Sequence, residues 1–176
     1  DADTIYPGAA ERCDGIVNTC GGVLPDDETD LDGDGFVGCP LDAGGWDGTF
    51  VPIDGDDCAP TDATVYPGAP PLCDGLVNDC DIDFLGPEEL DDDGDGYVEC
   101  EVDGGGWAGV RGGGDCNDDV GRGADFYPGA PALCDGLVND CHSILLPGDE
   151  VDNDGDGFVE CAVVAAGWLG VAIEGE

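Results

Sequence analysis

Three short stretches of the chain place aspartates at alternate positions ahead of a glycine. The first holds Asp30, Asp32 and Asp34 before Gly35, which matches the first half of a calcium-binding loop, D-x-D-x-D-G. Alternate side chains in a tight turn converge on one point, and the glycine permits the positive φ that curls the backbone around an ion. The pattern therefore predicts cation sites with carboxylate ligands. Its copies are Asp91, Asp93, Asp95 and Asp152, Asp154, Asp156.

The remaining ligands of these acidic loops must differ from those of an EF-hand. The seventh residue of each loop is aromatic and would offer its backbone carbonyl while its ring points into the core. Position 12, a bidentate glutamate in an EF-hand, is apolar in all three loops. A ligand must come from outside, and a glutamate stands two residues before each loop. In chain order, the aromatic residues and the glutamates are Phe36, Tyr97, Phe158 and Glu28, Glu89, Glu150.

Repulsion between carboxylates distinguishes a cation site from a bare acidic turn. Two carboxylates about 4 Å apart repel by roughly 1 kcal/mol in water and about 4 kcal/mol at an effective dielectric of 20. A solvated turn would spread its aspartates, and nothing would keep their spacing. Calcium is favoured over magnesium because its larger shell accepts many flexible oxygen ligands, and extracellular sites bind it at roughly 10⁻⁴ to 10⁻³ M. We expect one, two or more calcium ions in each repeat.

A second group of oxygen-bearing side chains surrounds the cysteines. It would form either another calcium site in each repeat or a disulfide-closed knot whose Asp and Asn residues cap turns, and the sequence leaves both open. Its members are Asp14 and Asn18; Asp57, Asp62, Asp74, Asn78 and Asp79; and Asp115, Asp118, Asp135 and Asn139.

All these motifs belong to a tandem repeat. Tyr6, Tyr66 and Tyr127 each begin the sequence YPGA, which gives a period of 60 and then 61 residues. We divide the chain into repeats at 1–58, 59–116 and 117–176. A full repeat carries four cysteines and the third has three, which accounts for the count of 11. Because the third repeat lacks its fourth cysteine, we expect copies of the chain to associate head to tail.

The charge of the chain excludes several classes of function. A net charge of −40 with three basic residues disfavours nucleic acid and anionic membranes as partners. No apolar run is long enough to span a bilayer. Regularly spaced cysteines predict an oxidising location, extracellular or on the cell surface. We find no nucleophile–base pair and no phosphate-binding loop, so an enzyme is not expected.

The elements that position the motifs should be short and irregular. The patterns predict a loop-rich tandem array of short hairpins and turns with little helix, in which YPG forms a type II turn. The aromatic residue, the valine and the tryptophan of each repeat form its small core. Four cysteines allow three pairings, so spacing does not decide connectivity. We expect Cys161 to lack a partner and the disulfides to be Cys13–Cys20, Cys39–Cys58, Cys73–Cys80, Cys100–Cys116 and Cys134–Cys141.

The order DGDG…C…GDDC…YPGA…CDGxVNxC resembles the metal-binding repeats of secreted and surface proteins of bacteria and some archaea, over nearly the whole chain. The acidic loops are also similar to those of thrombospondin type 3 and dockerin repeats. The resemblance implies an extracellular, calcium-loaded, disulfide-rich module. One relative is a surface copper protein, but copper requires His, Met or Cys ligands, and this chain has no Met and one His.

These features favour a structural role. A repeat of about 60 residues with little apolar content needs metals and disulfides to fold. We therefore expect a rigid extracellular stalk or a head-to-tail filament of calcium-bound repeats. An adhesin or carbohydrate-binding module that uses Trp46, Trp107 and Trp168 to bind surface glycans is the alternative, and a copper-binding surface protein is a minor one.

Overall fold

Regular secondary structure is sparse in the computed structural model, which describes residues 4–102 and 107–170. Strand β1 (Tyr97–Val98) pairs in parallel with strand β2 (Gly112–Gly113). The described residues contain no α-helix, and their helical segments are 3-10 turns at Asp26–Glu28, Pro87–Glu89, Gly123–Asp125 and Gly148–Glu150. The predicted loop-rich fold is confirmed. None of its described helices has the length and apolar character needed to cross a bilayer.

The predicted hairpins are not formed in the described parts of the chain, because the paired segments run in parallel. Tyr97 lies opposite Gly112, and Phe36 forms the equivalent parallel bridge with Asp54. A parallel pair needs a connection that returns the chain to its starting side. In the first repeat this connection carries Trp46, and the glycine-rich stretch 103–106 of the second lies outside the described residues.

Each YPGA sequence forms the predicted type II turn. In the first, the Ala9 N–H donates to the Tyr6 carbonyl at 3.0 Å, and Gly8 adopts a φ of 81°. Tyr6 also forms a parallel bridge with Thr19, and the Cys20 N–H bonds to the Tyr6 carbonyl at 3.4 Å. The same bridge recurs in both later repeats. The turn therefore holds the N-x-C end of the cysteine loop.

The tryptophans pack against the glycine of the CDG sequences. A Cβ built on Gly75 would lie 2.6 Å from the ring of Trp107, and Gly75 has a φ of 78°. The rings are half-buried, while Val37 and Val98 are fully buried (0%). These valines confirm part of the predicted core. Phe158, at 73% exposure, does not join it.

Five disulfides replace the predicted set. Cys161 has a partner, and Cys20 is free and exposed. The observed bonds are Cys13–Cys39, Cys58–Cys80, Cys73–Cys100, Cys116–Cys141 and Cys134–Cys161. The predictions that are wrong are Cys13–Cys20, Cys39–Cys58, Cys73–Cys80, Cys100–Cys116 and Cys134–Cys141.

A buried glutamate explains why the pairing differs. Glu28 accepts hydrogen bonds from the backbone N–H groups of Asp14 (3.1 Å) and Gly15 (2.8 Å). This contact docks the acidic loop onto the CDG turn and brings Cys39 to the buried Cys13, with a Cα–Cα distance of 5.9 Å. The second cysteine of the turn is held instead by the YPGA carbonyl, away from the first.

The chain forms two compact units, Asp1–Leu72 with Leu76–Phe84 and Cys73–Gly75 with Leu85–Glu176. The repeat limits at 1–58, 59–116 and 117–176 remain predictions about the sequence period. Cys58–Cys80, inside the first unit, and Cys116–Cys141, inside the second, each join one sequence repeat to the next. The predicted head-to-tail seam after residue 176 lies outside the described residues.

Candidate metal centre

Each acidic loop is closed by its own aspartates. In the first, the Asp30 carboxylate accepts hydrogen bonds from the N–H groups of Gly33 (2.6 Å) and Gly35 (3.1 Å). Asp32 and Asp34 each accept one from the N–H two residues further on, at 3.3 and 2.8 Å. Both glycines have positive φ, 88° and 97°. The turn is therefore held by one oxygen of Asp32 and one of Asp34, which leaves a second oxygen on each.

Unpaired buried oxygens accompany the carboxylate clusters of the first two loops. The Oδ2 atoms of Asp32 and Asp34 are buried and have no hydrogen-bond partner. The same is true of the Oδ2 atoms of Asp93 and Asp95 in the second loop. One carboxylate oxygen from each of Asp30, Asp32 and Asp34 lies within 4.8 Å of the others. Burying carboxylate oxygens without a partner is costly. A bound cation would remove this cost.

A buried aspartate from a later segment acts on each of the first two clusters. Asp57 and Asp115 are 5% and 6% exposed. A carboxylate oxygen of Asp115 lies within 4.8 Å of oxygens of Asp93 and Asp95, and its Oδ2 is buried without a partner. The charge of Asp57 acts on Asp34, and those of Asp30 and Asp32 act on Asp57. The structure thus adds the Asp115 carboxylate to the second cluster, and it brings the charge of Asp57 to bear on the first.

The second loop has a further carboxylate nearby. Asp118 forms a group of carboxylate oxygens within 4.8 Å with Asp91 and Asp93. One oxygen of Asp118 also accepts hydrogen bonds from the N–H groups of Asp92 (2.8 Å) and Asp93 (3.1 Å). The corresponding position of the first repeat, two residues after the cysteine, is Pro60. The second site is therefore richer in oxygen ligands than the first.

Burial and mutual repulsion perturb these carboxylates. Burial raises the pKa of Asp95 to about 6 against the hydrogen bond from the Tyr97 N–H, which lowers it, and the charges of Asp93, Asp115 and Asp91 each add a smaller rise. Burial is also the largest cause of raised pKa values at Asp34, Asp57, Asp93 and Asp115. Burial and, to a smaller extent, the neighbouring charges therefore disfavour the ionised form of these carboxylates.

The third loop has the same turn but a more open cluster. Asp152 accepts hydrogen bonds from the N–H groups of Gly155 (2.7 Å) and Gly157 (2.9 Å). Asp154 and Asp156 are exposed, and the N–H of Gly157 is the main cause of the lowered pKa of Asp152. Within the described residues, this cluster consists of the loop's own three aspartates.

The glutamates predicted as outside ligands occupy another place. Glu28, Glu89 and Glu150 are buried, and each accepts hydrogen bonds from the backbone of a CDG turn. In the described part of the chain, none of them belongs to a carboxylate cluster. The second oxygens of Glu28 and Glu150 are buried without a partner. Their role as cation ligands stays a prediction.

The second predicted oxygen group is divided between two places. Asp57, Asp115 and Asp118 lie at the acidic loops, as described above. Asp14 accepts a hydrogen bond from the Asn18 side chain (3.1 Å), and Asn18 accepts one from the backbone of Arg12 (2.7 Å).

The later copies of this pair have related contacts. Asn78 and Asn139 accept backbone hydrogen bonds at 2.8 and 3.0 Å. The buried Asp135 accepts one at 2.9 Å. The backbone N–H of Asp74 donates to Glu89. Asp62 accepts a hydrogen bond from the Thr64 hydroxyl at 2.6 Å. These contacts are those of the turn-capping alternative.

One family model matches the chain. Its description is "Putative metal-binding motif", of the copper-binding MopE type, and it matches residues 1–28, 57–82, 115–144 and 146–160, more than half of the chain. The chain belongs to this metal-binding repeat family. The matched segments of the repeats include the CDG turns and the outside aspartates Asp57 and Asp115. Comparison with curated proteins and with solved structures found no significant match.

The donors in these metal-binding repeats do not fit copper, the metal in the family's name. Copper sites use imidazole, thiolate or thioether ligands, and the chain has no Met and a single His. The side chain of His142 is 76% exposed. Asp115 forms a group with Cys116 and Cys141, but a disulfide joins these two sulfurs. The converging donors are carboxylate oxygens, which suit a hard cation.

One residue beside the second acidic loop has no signal in the sequence. A Cβ on Gly123 would collide with the Asp93 carboxylate and the Asn117 carbonyl. Nothing in the sequence around Gly123 identifies this contact. The sequence groups Asp115 with the cysteines, and only the parallel pairing of β1 with β2 shows that it follows a strand beside the acidic loop.

Proposed function

We propose that this protein is an extracellular calcium-binding repeat protein with a structural role, as a stalk or a head-to-tail filament. The observation that carries the proposal is the convergence of buried carboxylate oxygens without hydrogen-bond partners in the first two acidic loops. Such a cluster is unstable unless its charge is neutralised. Calcium binding supplies that charge.

The composition of the clusters supports calcium over magnesium. The carboxylates of the second cluster come from two separate segments of the chain, and the loop pattern predicts a backbone carbonyl at position seven as a further ligand of the cation. Calcium takes six to eight oxygen ligands in flexible geometry, whereas magnesium requires a near-ideal octahedron and usually keeps several waters. A site assembled from many protein oxygens therefore favours calcium.

A structural role is supported by how little else holds the chain together. The buried apolar residues of the described chain are mostly alanine, valine and cysteine. A core of this size needs disulfides and metals to be stable, so that metal binding and folding form one equilibrium. The five disulfides also support an oxidising, extracellular setting.

Links between consecutive repeats support an array that can carry load. Cys58–Cys80 joins the first sequence repeat to the second. Phe36 stacks on Tyr66 across the same boundary with ring centroids 4.9 Å apart, and the equivalent rings of the next boundary are 5.1 Å apart. Each unit of a repeat protein contacts only its neighbours. Links of this kind between consecutive repeats would therefore join the units of the whole array.

The adhesin or carbohydrate-binding alternative is less well supported. A sugar-binding tryptophan stacks its exposed ring on the ligand, and here the rings of Trp46 and Trp107 pack on a CDG glycine. The half-buried rings leave a smaller surface for glycans.

Calorimetric titration of the oxidised protein with calcium, magnesium and copper tests the metal assignment. We expect calcium to bind and to raise the melting temperature, with little effect of equimolar copper. Tighter binding of copper than of calcium would refute the assignment. Electron microscopy of the protein with calcium tests the assembly, for which elongated particles or filaments are expected and uniform compact particles would count against it.

A further inference from the structure

We infer that Asp57 and Asp115, which immediately precede the cysteines that join consecutive repeats, are the outside ligands that close the first and second acidic loops over their cations. The inference rests on the proposed calcium binding and names ligands that the loops themselves lack. It replaces Glu28 and Glu89 as the leading candidates for this role.

The contacts of Asp115 leave one oxygen for a cation. Its Oδ1 accepts a hydrogen bond from the Asn117 N–H at 2.9 Å. Its Oδ2 is buried, has no partner and belongs to a side chain that is 6% exposed. A carboxylate oxygen of Asp115 lies within 4.8 Å of oxygens of Asp93 and Asp95. A buried anionic oxygen surrounded by other carboxylates calls for a positive ion.

The backbone delivers both aspartates in the same way. The Asp115 N–H donates to the carbonyl of Val98 in β1 at 3.0 Å, and the Asp57 N–H donates to the Val37 carbonyl at 3.1 Å. Each aspartate also binds the N–H two residues ahead, at 2.9 and 2.8 Å. The valines are fully buried and directly follow the aromatic residue of each loop. The register therefore gives Asp57 the same backbone position beside the first loop that Asp115 has beside the second.

The arrangement has a consequence for the array. The residue after each aspartate is Cys58 or Cys116, whose disulfide leads into the next repeat. A cation bound between the loop and the aspartate therefore anchors the segment that carries this link. Calcium occupancy and attachment of the next repeat are coupled through a single residue.

Calcium titration of the full-length oxidised protein tests the inference. In the double variant Asp57→Asn/Asp115→Asn, each amide keeps the size of the side chain and its acceptor oxygen but loses the charge. We expect affinity at two sites to fall by about tenfold or more, because ligand charge sets calcium affinity. The matched control is Asp56→Asn/Asp119→Asn, which removes the same charge from exposed neighbours and should leave affinity within about twofold. Asn also tolerates the positive φ of 63° at position 56.

The outcomes separate the two proposals. If the unaltered protein binds no calcium, the proposed function fails. If it binds calcium and the double variant binds equally well, the inference fails while calcium binding stands. Should the variant not form its disulfides, a crystal structure of the unaltered protein with calcium decides. Calcium–oxygen distances of about 2.3–2.6 Å to Asp57 and Asp115 are expected, and a ligand shell without them overturns the inference.

Discussion

Neutralising Asp95 should have opposite effects on stability with and without calcium. Its carboxylate lies with those of Asp93 and Asp115 in the second cluster. With calcium bound, Asp95→Asn removes a ligand and should lower the melting temperature. Without calcium, it removes repulsion and should raise the free energy of unfolding. The turn survives, because the asparagine oxygen can still accept the hydrogen bond that the Tyr97 N–H donates at 2.8 Å.

Two estimates give the size of the calcium-free effect. At 4.8 Å, the upper limit of the separations between these carboxylate oxygens, two charges repel by about 0.9 kcal/mol in water and about 3.5 kcal/mol at an effective dielectric of 20. Two such pairs therefore contribute about 2 to 7 kcal/mol. Raising the pKa of Asp95 from 3.8 to about 6 corresponds to about 3 kcal/mol against the ionised form. We expect a stabilisation of about 2 to 3 kcal/mol, near the lower end because the side chain is partly solvated.

The pH dependence follows from the same pKa. Because the pKa of Asp95 is higher in the folded state than in the unfolded state, its contribution to the stability of the calcium-free protein falls as pH rises from about 4 to about 6. Below about pH 4 the carboxyl is protonated in both states, so the variant should gain nothing. Its advantage should grow up to about pH 6 and then stay constant.

Denaturant unfolding in chelator and in millimolar calcium, followed by circular dichroism, measures both effects. Asp92→Asn is the control, since Asp92 is an exposed residue of the same loop whose side chain is outside the clusters. A variant less stable than the unaltered protein in both buffers would refute the repulsion argument. If Asp92→Asn raises the calcium-free stability by as much as Asp95→Asn does, the stabilisation comes from the lower net charge and not from the cluster.

Three further predictions concern the cations, the second loop and the disulfides. Chelation should reduce the near-ultraviolet dichroism and the melting temperature of the unaltered protein, and an unchanged spectrum would show that cations do not organise the fold. Gly123→Ala should weaken calcium binding by about tenfold, because its Cβ would displace the Asp93 carboxylate. Gly121→Ala should leave binding unchanged, because its Cβ would make only an ordinary 3.8 Å contact with the Asp119 side chain. Equal calcium affinities of the two variants would contradict this prediction. Cys100→Ser should leave Cys73 alkylatable in the non-reduced protein, and peptide mapping that finds another cysteine labelled would disprove the pairing.

Local motifs were predictable because neighbouring residues determine them. The Asp30 turn is closed by hydrogen bonds to residues three and five positions ahead, and the YPGA turn by one that spans four residues. Spacing and glycine positions therefore suffice to identify both. The fully buried Val37 and Val98 were identifiable for a similar reason, since each follows the aromatic residue of its loop.

Long-range partners were not predictable from spacing. Cys13 bonds to a residue 26 positions away because Glu28 docks the acidic loop onto the CDG turn. Asp115 reaches the second loop because β1 and β2 pair in parallel rather than as a hairpin. Each outcome depends on a contact that only the folded chain creates.

The sequence by itself determined that this chain is a tandem array of acidic, cysteine-rich turns with the donors for a hard cation. Those properties follow from residue type and short spacing. Only the tertiary structure decided which cysteines bond and which aspartates complete each cluster. The physical reason is that backbone hydrogen bonds between distant segments set the register, and the register decides which side chains meet.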